Sequence, residues 1–133
     1  MSLRKRENNT NLENLKITIE NKKGTFKTLE DEDDDGMYKY PLKGVTFPVD
    51  YGFIDGYKGE GGSPLHVFVG SGTLFGSFQI WSYDVPLETQ MVMNVTQKEW
   101  DEIIAEYKPV IKGEPKFFKD KEEFEKELEE FKS

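Results

Sequence analysis

The feature that most constrains the fold is a change in hydrophobic period near residue 96. Before it, apolar residues recur at every second position, as at Leu15, Ile17 and Ile19, which is typical of strands with one solvated face. After it, apolar residues follow the helical spacing i, i+3, i+4, i+7: Trp100, Ile103, Ile104 and Tyr107. The sequence therefore predicts an α+β domain that is mainly β, with its helices near the C-terminus.

The strand-forming part contains short apolar runs separated by turn residues. Strands are predicted from Leu15 onward, at residues 24–29, near Met37, and at residues 67–69, 78–83 and 90–95. Gly70, Gly72 and Gly76 are interpreted as turn glycines, because their spacing does not match a dinucleotide-binding motif. Asp35-Gly36 predicts a hairpin. The acidic run before it lacks the ligand spacing of a calcium loop and is interpreted as solvated.

Two helix starts are marked by capping residues. Thr96 and Glu99 match a capping box, in which the hydroxyl and the carboxylate satisfy amides at the start of a helix. Pro109 and Gly113 are expected to end that helix. A second helix is predicted after Asp120, and its apolar residues recur at helical spacing: Phe124, Leu128 and Phe131.

Length, charge and composition narrow the class of protein. A chain of 133 residues is predicted to form one domain at residues 15–133, preceded by a loose polar arm at residues 1–14. The absence of cysteine excludes disulfides. A net charge of −8 argues against binding a nucleic-acid polymer, although residues 1–27 are net basic and leave room for a local anion site. No apolar run suits a membrane span, so a cytoplasmic location is expected.

Residues 47–54 (FPVDYGFI) carry a recognisable segment. It resembles the proline–x–x–tyrosine–glycine–aromatic–isoleucine stretch of soluble family I inorganic pyrophosphatases. After seven intervening residues, residues 62–67 (GSPLHV) fall where that family has three aspartates around a proline. The similarity continues at Gly76 and Phe78, and again at Tyr107-Lys108. It extends roughly from residue 15 to residue 131.

The resemblance implies a five-stranded barrel of the OB type, closed or partly open, with two C-terminal helices packed outside. It also implies hydrolysis of diphosphate with several Mg²⁺ ions. In that chemistry carboxylates hold the cations, and the cations lower the pKa of a bound water. The implied partners are phosphate, diphosphate or a nucleotide phosphate, and a homo-oligomer is expected by analogy only.

The phosphate-binding side of the family site is largely present. Tyr51, Tyr107 and Lys108 match the family directly, and Lys27 falls on its strand lysine. Lys39 stands where the family uses arginine, and a lysine cannot hold phosphate through two parallel hydrogen bonds. These five residues are the expected phosphate-binding residues.

The metal-binding side does not match. At seven positions this chain lacks the carboxylate, or in one case the lysine, that the family carries. The residues found there instead are Thr18, Gly61, Ser63, His66, Ser82, Leu87 and Thr89. His66 prefers zinc-class metals over magnesium, and a lone histidine is more often structural than a ligand. Mg²⁺ is therefore not expected to bind in the family manner. Hydrolysis is expected to be weak or lost, and no catalytic residue is assigned.

Two alternatives stay open. A shift of two residues keeps the same strand face, so Glu20 can replace the missing glutamate and Asp84 one missing aspartate. With Asp55 and Glu60 nearby, such relocated carboxylates would make the protein an active metal-dependent diphosphatase. The other alternative is a non-catalytic domain for protein interaction or assembly.

Overall fold

The structure, a computed structural model, describes residues 12–29, 41–82 and 86–133. Its strands are β1 (Ile17–Asn21), β2 (Phe26–Thr28), β3 (Gly44–Thr46), β4 (Asp50–Lys58), β5 (Pro64–Val69), β6 (Leu74–Ile80), β7 (Glu88–Val95) and β8 (Ile111–Phe118). The helices are α1 (Gln97–Tyr107) and α2 (Lys121–Glu129), with short 3₁₀ segments at Leu12–Asn14 and Lys108–Val110. The predicted mainly-β class with two late helices is confirmed.

Six strands form one mixed sheet in the order β1-β4-β5-β7-β6-β8, and β2 pairs with β3 separately. Neighbours in the large sheet are antiparallel except β5 and β7, which are parallel. In the described parts of the chain β1 and β8 are the two edges, and no closed barrel is found. The closed OB-like barrel is thus not confirmed.

Alternation along the strands gives the sheet two apolar faces. The first face carries Tyr51, Phe68 and Phe78, against which α1 packs Trp100, Ile103 and Tyr107. Val45 and Leu29 of the β2–β3 hairpin region add to this cluster. The second face carries residues that alternate with these along the strands: Ile54, Leu65, Val67, Met91 and Met93. Phe124 and Leu128 of α2 pack against this second face. Because side chains alternate across a strand, each of the strands β4, β5, β6 and β7 contributes to both cores.

Both predicted helix starts are confirmed. The Thr96 hydroxyl accepts from the Glu99 amide at 3.1 Å, and the Glu99 carboxylate accepts from the Thr96 amide at 3.0 Å. The Asp120 carboxylate accepts from the Glu123 amide at 3.0 Å at the start of α2. No helix among the described residues is long and apolar enough to cross a membrane.

Some local predictions are wrong. Gly76 lies inside β6 and not in a turn. Glycine is required there by close packing and not by a turn, because a Cβ would meet the Trp100 ring at 2.5 Å. β4 and β8 were not predicted, and in β8 Gly113 and Pro115 fall within the register irregularity opposite β6. The strand near Met37 and the Asp35-Gly36 hairpin lie outside the described residues.

Candidate functional site

Tyr51 lies in a stack of aromatic rings on the first face of the sheet. Its ring is parallel to that of Phe47, with centroids 4.8 Å apart, and to that of His66, with centroids 5.2 Å apart. β4 and β5 are paired so that Tyr51 lies opposite Phe68 and Phe53 lies opposite His66. Since opposite residues share a face, this register brings Tyr51 and His66 side by side.

The imidazole of His66 lies between two carboxylates. Its Nε2 is 3.8 Å from Glu20 Oε1, and its Nδ1 is 3.6 Å from Glu88 Oε2. Both distances exceed those of hydrogen bonds. Nδ1 is buried and has no hydrogen-bond partner within the part of the chain that the structure describes. A protonated imidazole would form ion pairs with Glu20 and Glu88, one through each ring nitrogen.

Strand register explains this cluster. β7 pairs in parallel with β5, and Gln90 lies opposite His66. Glu88, two residues earlier on β7, points to the same face as Gln90. On the other side β1 pairs with β4, and Glu20 lies at an irregularity of this pairing, just before Asn21, which is opposite Tyr51. Residues distant in sequence thus meet on one face.

The hydroxyl of Tyr51 is held inside the protein. It donates a hydrogen bond of 2.9 Å to Gln90 Oε1, and Gln90 is only 1% exposed. Burial raises the pKa of Tyr51 well above 10.0, and the nearby Tyr107, Glu88 and Glu20 raise it further, while the bond to Gln90 acts in the opposite direction. Tyr51 is therefore a neutral hydrogen-bond donor at physiological pH.

The other expected phosphate-binding residues lie at different depths. Tyr107 is buried, with its ring 5.6 Å from those of Phe68 and Phe78. Lys27 is exposed and lies opposite the buried Val45, so it is on the inward side of the hairpin. Lys108 is exposed and lines a groove of about 440 Å³ between α1 and β8. Lys39 lies outside the described residues.

The three aspartate positions of the family are split between two environments. Gly61 and Ser63 are exposed in the turn between β4 and β5, where Gly62 adopts a φ of 85°. His66 lies on β5 inside the sheet. Of the remaining unmatched positions, Thr18 and Leu87 are exposed. Ser82 is half-buried just after β6.

Two of the candidate relocated carboxylates, Glu60 and Asp55, are not among the described carboxylates that pair with His66. Glu60 accepts hydrogen bonds from the backbone and the hydroxyl of Thr89, and Gln79 also donates to that hydroxyl. This network ties the β4–β5 turn to β7. Asp55 is exposed on β4, where its backbone amide donates to Lys16. Asp84 lies outside the described residues, so only Glu20 is placed beside His66.

Sequence reasoning missed two residues of the site, Glu88 and Gln90. With Thr89 they form a short polar run at the start of β7, before its apolar part, and no motif surrounds them. The parallel pairing of β5 and β7 is what brings them to His66 and Tyr51. The burial of Gln90, which requires a hydrogen-bond partner, is visible only in the structure.

The side chains at the family positions do not fit a multi-magnesium site. Mg²⁺ requires near-octahedral oxygen ligands, usually from carboxylates and water. Gly61 provides no side-chain ligand, Ser63 a neutral hydroxyl and His66 a nitrogen. Within residues 12–29, 41–82 and 86–133, no group of three or more histidine, aspartate or glutamate side chains is placed to hold a metal ion.

These features define a small mixed-sheet domain with a polar site set into an aromatic core face. A family model described as Inorganic Pyrophosphatase matches residues 4–128. The chain therefore belongs to the inorganic pyrophosphatase family. That family generally depends on magnesium and binds phosphate or diphosphate. Comparisons with curated proteins and with solved structures find no match.

Proposed function

We propose that this protein binds phosphate or diphosphate on the Tyr51 face of its sheet, and that its magnesium-dependent hydrolysis of diphosphate is weak or lost. One observation carries the proposal: the positions of the family's three aspartates hold two exposed turn residues without carboxylates, Gly61 and Ser63, and one imidazole, His66. The carboxylates that gather cations in the family are therefore replaced by other groups.

The energetic consequence follows from what the cations do. Bound metal ions neutralise the phosphate oxygens and generate the nucleophilic hydroxide, which together lower the barrier by several kcal/mol. Each 1.4 kcal/mol of barrier corresponds to about a tenfold change in rate. Loss of even one cation from the reacting site is therefore expected to reduce turnover by orders of magnitude.

Anion binding is expected to depend on lysines more than on His66. Glu20 and Glu88 flank the imidazole, and their charges oppose an anion at that point. Lys27 faces the inward side of the hairpin and supplies positive charge without a carboxylate ion pair in the described structure. Lys39 and Lys108 are proposed to bind phosphate as the corresponding residues do in the family. The Tyr51 hydroxyl can donate to a phosphate only after its hydrogen bond to Gln90 is broken.

A second candidate function is an active diphosphatase with relocated carboxylates. The position of Glu20, 3.8 Å from His66, favours it, and Glu88 adds a carboxylate that the sequence did not indicate. Against it, Glu60 already binds Thr89 and Asp55 is exposed. The OB-like barrel, a homo-oligomer and a cytoplasmic location remain predictions from the family resemblance.

Titration calorimetry with diphosphate tests the proposal. The wild-type chain is expected to bind diphosphate in the absence of divalent cations. Lys27→Ala is expected to weaken binding about tenfold or more, because a hydrogen bond to a charged group contributes roughly 1.5–3 kcal/mol. Lys119→Ala removes an exposed lysine near α2 and is the matched control. Absence of binding by the wild-type chain, or equal losses in both variants, would overturn the proposal.

A further inference from the structure

His66 has a special status in this chain. The sequence contains one histidine and no cysteine, so His66 is its only imidazole or thiol ligand. Zinc, cobalt and nickel prefer such ligands, whereas magnesium prefers oxygen. The family position that normally carries a carboxylate for magnesium thus carries a ligand for another class of metal.

The surroundings of His66 match those of a metal-binding histidine. Such a histidine usually binds the metal through one ring nitrogen and donates a hydrogen bond to a carboxylate through the other. Here Nδ1 is buried, lacks a hydrogen-bond partner in the described regions, and lies 3.6 Å from Glu88 Oε2. A small movement of Glu88 would make that hydrogen bond. The other nitrogen, Nε2, lies toward Glu20.

We propose that Nε2 of His66 and the carboxylate of Glu20 bind one divalent transition-metal ion of the zinc class, with Glu88 orienting the imidazole through Nδ1. Binding of the ion does not depend on the proposed function. Its role does rest on that function, because the ion would hold a phosphate oxygen near Tyr51. Water or phosphate oxygens complete the coordination. Glu88 is a positioning residue in this arrangement, and His66 and Glu20 are the ligands.

The distances allow such an ion. Zinc lies about 2.0–2.1 Å from a histidine nitrogen and about 2.0–2.2 Å from a carboxylate oxygen, so two such atoms that bind one ion are at most about 4.3 Å apart. The separation of 3.8 Å between Nε2 and Glu20 Oε1 is within that span, at a wide ligand angle. The Glu20 side chain is 45% exposed and has room to reduce the angle.

The charges favour a cation at the same point. Glu88 is only 20% exposed, and its one salt-bridge contact in the described structure is to His66. Two carboxylates beside one imidazole leave net negative charge when the ring is neutral. A divalent ion at this point would offset that charge.

The test is calorimetric titration of the full, untagged chain with Zn²⁺ and Co²⁺ in the absence of phosphate. Binding of one ion is expected, together with a Co²⁺ visible spectrum typical of nitrogen coordination. His66→Gln is expected to abolish both signals. Glu88→Gln is expected to weaken binding about 10–100-fold, as for other residues that orient a ligand. Mg²⁺ at the same concentration is expected to give no heat that depends on His66.

Controls separate this site from the acidic surface. Glu122→Gln removes an exposed carboxylate on α2 and should leave the affinity unchanged. Circular dichroism checks that each variant is folded. If His66→Gln does not fold, Glu20→Gln, which alters a half-exposed side chain, carries the test. Equal Zn²⁺ affinity in the wild-type chain and a folded His66→Gln or Glu20→Gln variant would overturn the inference. Diphosphate binding without metal ions is measured in a separate titration. Failure of the proposed diphosphate binding is therefore distinguished from failure of the proposed zinc-class site.

Discussion

The two faces of the central sheet are built from the same strands but differ in chemistry. The buried part of the face under α2 is mainly apolar, with Ile54, Leu65 and Met91 packed against Phe124. Its buried polar groups are two hydroxyls, those of Ser77 opposite Met91 and of Thr89 two residues before Met91. The face under α1 is aromatic and includes the buried Gln90 and the half-buried His66. Buried polar groups cost free energy unless they are paired. The contrast indicates that the α2 face mainly stabilises the fold, whereas the α1 face carries the site.

The polar groups of the α1 face are not scattered. Gln90 binds Tyr51, Tyr51 stacks on His66, and His66 lies between Glu20 and Glu88. These side chains come from four strands, β1, β4, β5 and β7, and strand pairing brings them together. A connected polar network inside an aromatic core is expected to affect ligand binding more than stability, and the α2 face the reverse.

The largest effect is expected on the α2 face. Phe124 is fully buried, with its ring 5.0 Å from that of Phe75. Phe124→Ala is expected to lower the free energy of unfolding by about 3–5 kcal/mol, since it leaves a cavity. Diphosphate affinity, measured below the unfolding transition, should not change. Phe117→Ala, which alters a ring that is 49% exposed, is the control and should cost much less. A large loss of diphosphate affinity in Phe124→Ala would break the division between the faces.

An intermediate effect is expected at the Tyr51–Gln90 pair. Tyr51→Phe or Gln90→Met leaves one buried polar group without its partner, which costs about 1–3 kcal/mol of unfolding free energy. The double variant removes both groups and should cost less than the sum of the single changes. Denaturant unfolding of the four proteins measures this coupling. Additive losses would mean that the hydrogen bond of 2.9 Å does not contribute to stability.

The smallest effect is expected where α1 joins the sheet. Partial burial acts to raise the pKa of Glu99, but hydrogen bonds from Ser71 and Thr96 and the charge of Lys23 outweigh it, and the pKa is lowered from 4.5. Because the pKa is lower in the folded state, the ionised carboxylate stabilises that state at pH values above the unfolded-state pKa of about 4.5. This contribution is lost as the pH falls through the folded-state pKa. Glu99→Gln should therefore lower stability at pH 7 by about 1 kcal/mol, a typical cap contribution.

Thermal unfolding at several pH values checks this expectation. The difference between the wild-type chain and Glu99→Gln should shrink as the pH falls below about 4.5. Lys98→Ala, at an exposed i,i+4 ion pair with Glu102, is the control and should show little effect at any pH. A difference that does not depend on pH would show that the charge of Glu99 is unimportant for the turn at Ser71.

Local signals predicted the local structure well. The capping pattern of Thr96 and Glu99 located the start of α1, and the alternation after Leu15 located β1. Both depend on residues within a few positions of one another.

Features set by long-range pairing could not be predicted. β8 contains Gly113 and Pro115, which read as breakers, yet an edge strand tolerates both. Glu88 and Gln90 join the site only because β7 pairs in parallel with β5. No local pattern encodes that pairing, because it depends on packing of the whole sheet.

The most direct test of the account is release of phosphate from diphosphate with Mg²⁺ as the only divalent cation, measured for the wild-type chain and for Asp84→Ala and Glu20→Gln. The account predicts slow or undetectable release that neither substitution changes, since the family's aspartate positions hold Gly61, Ser63 and His66. Rapid magnesium-dependent release that Asp84→Ala or Glu20→Gln abolishes would contradict it, and would establish a working site built from relocated carboxylates.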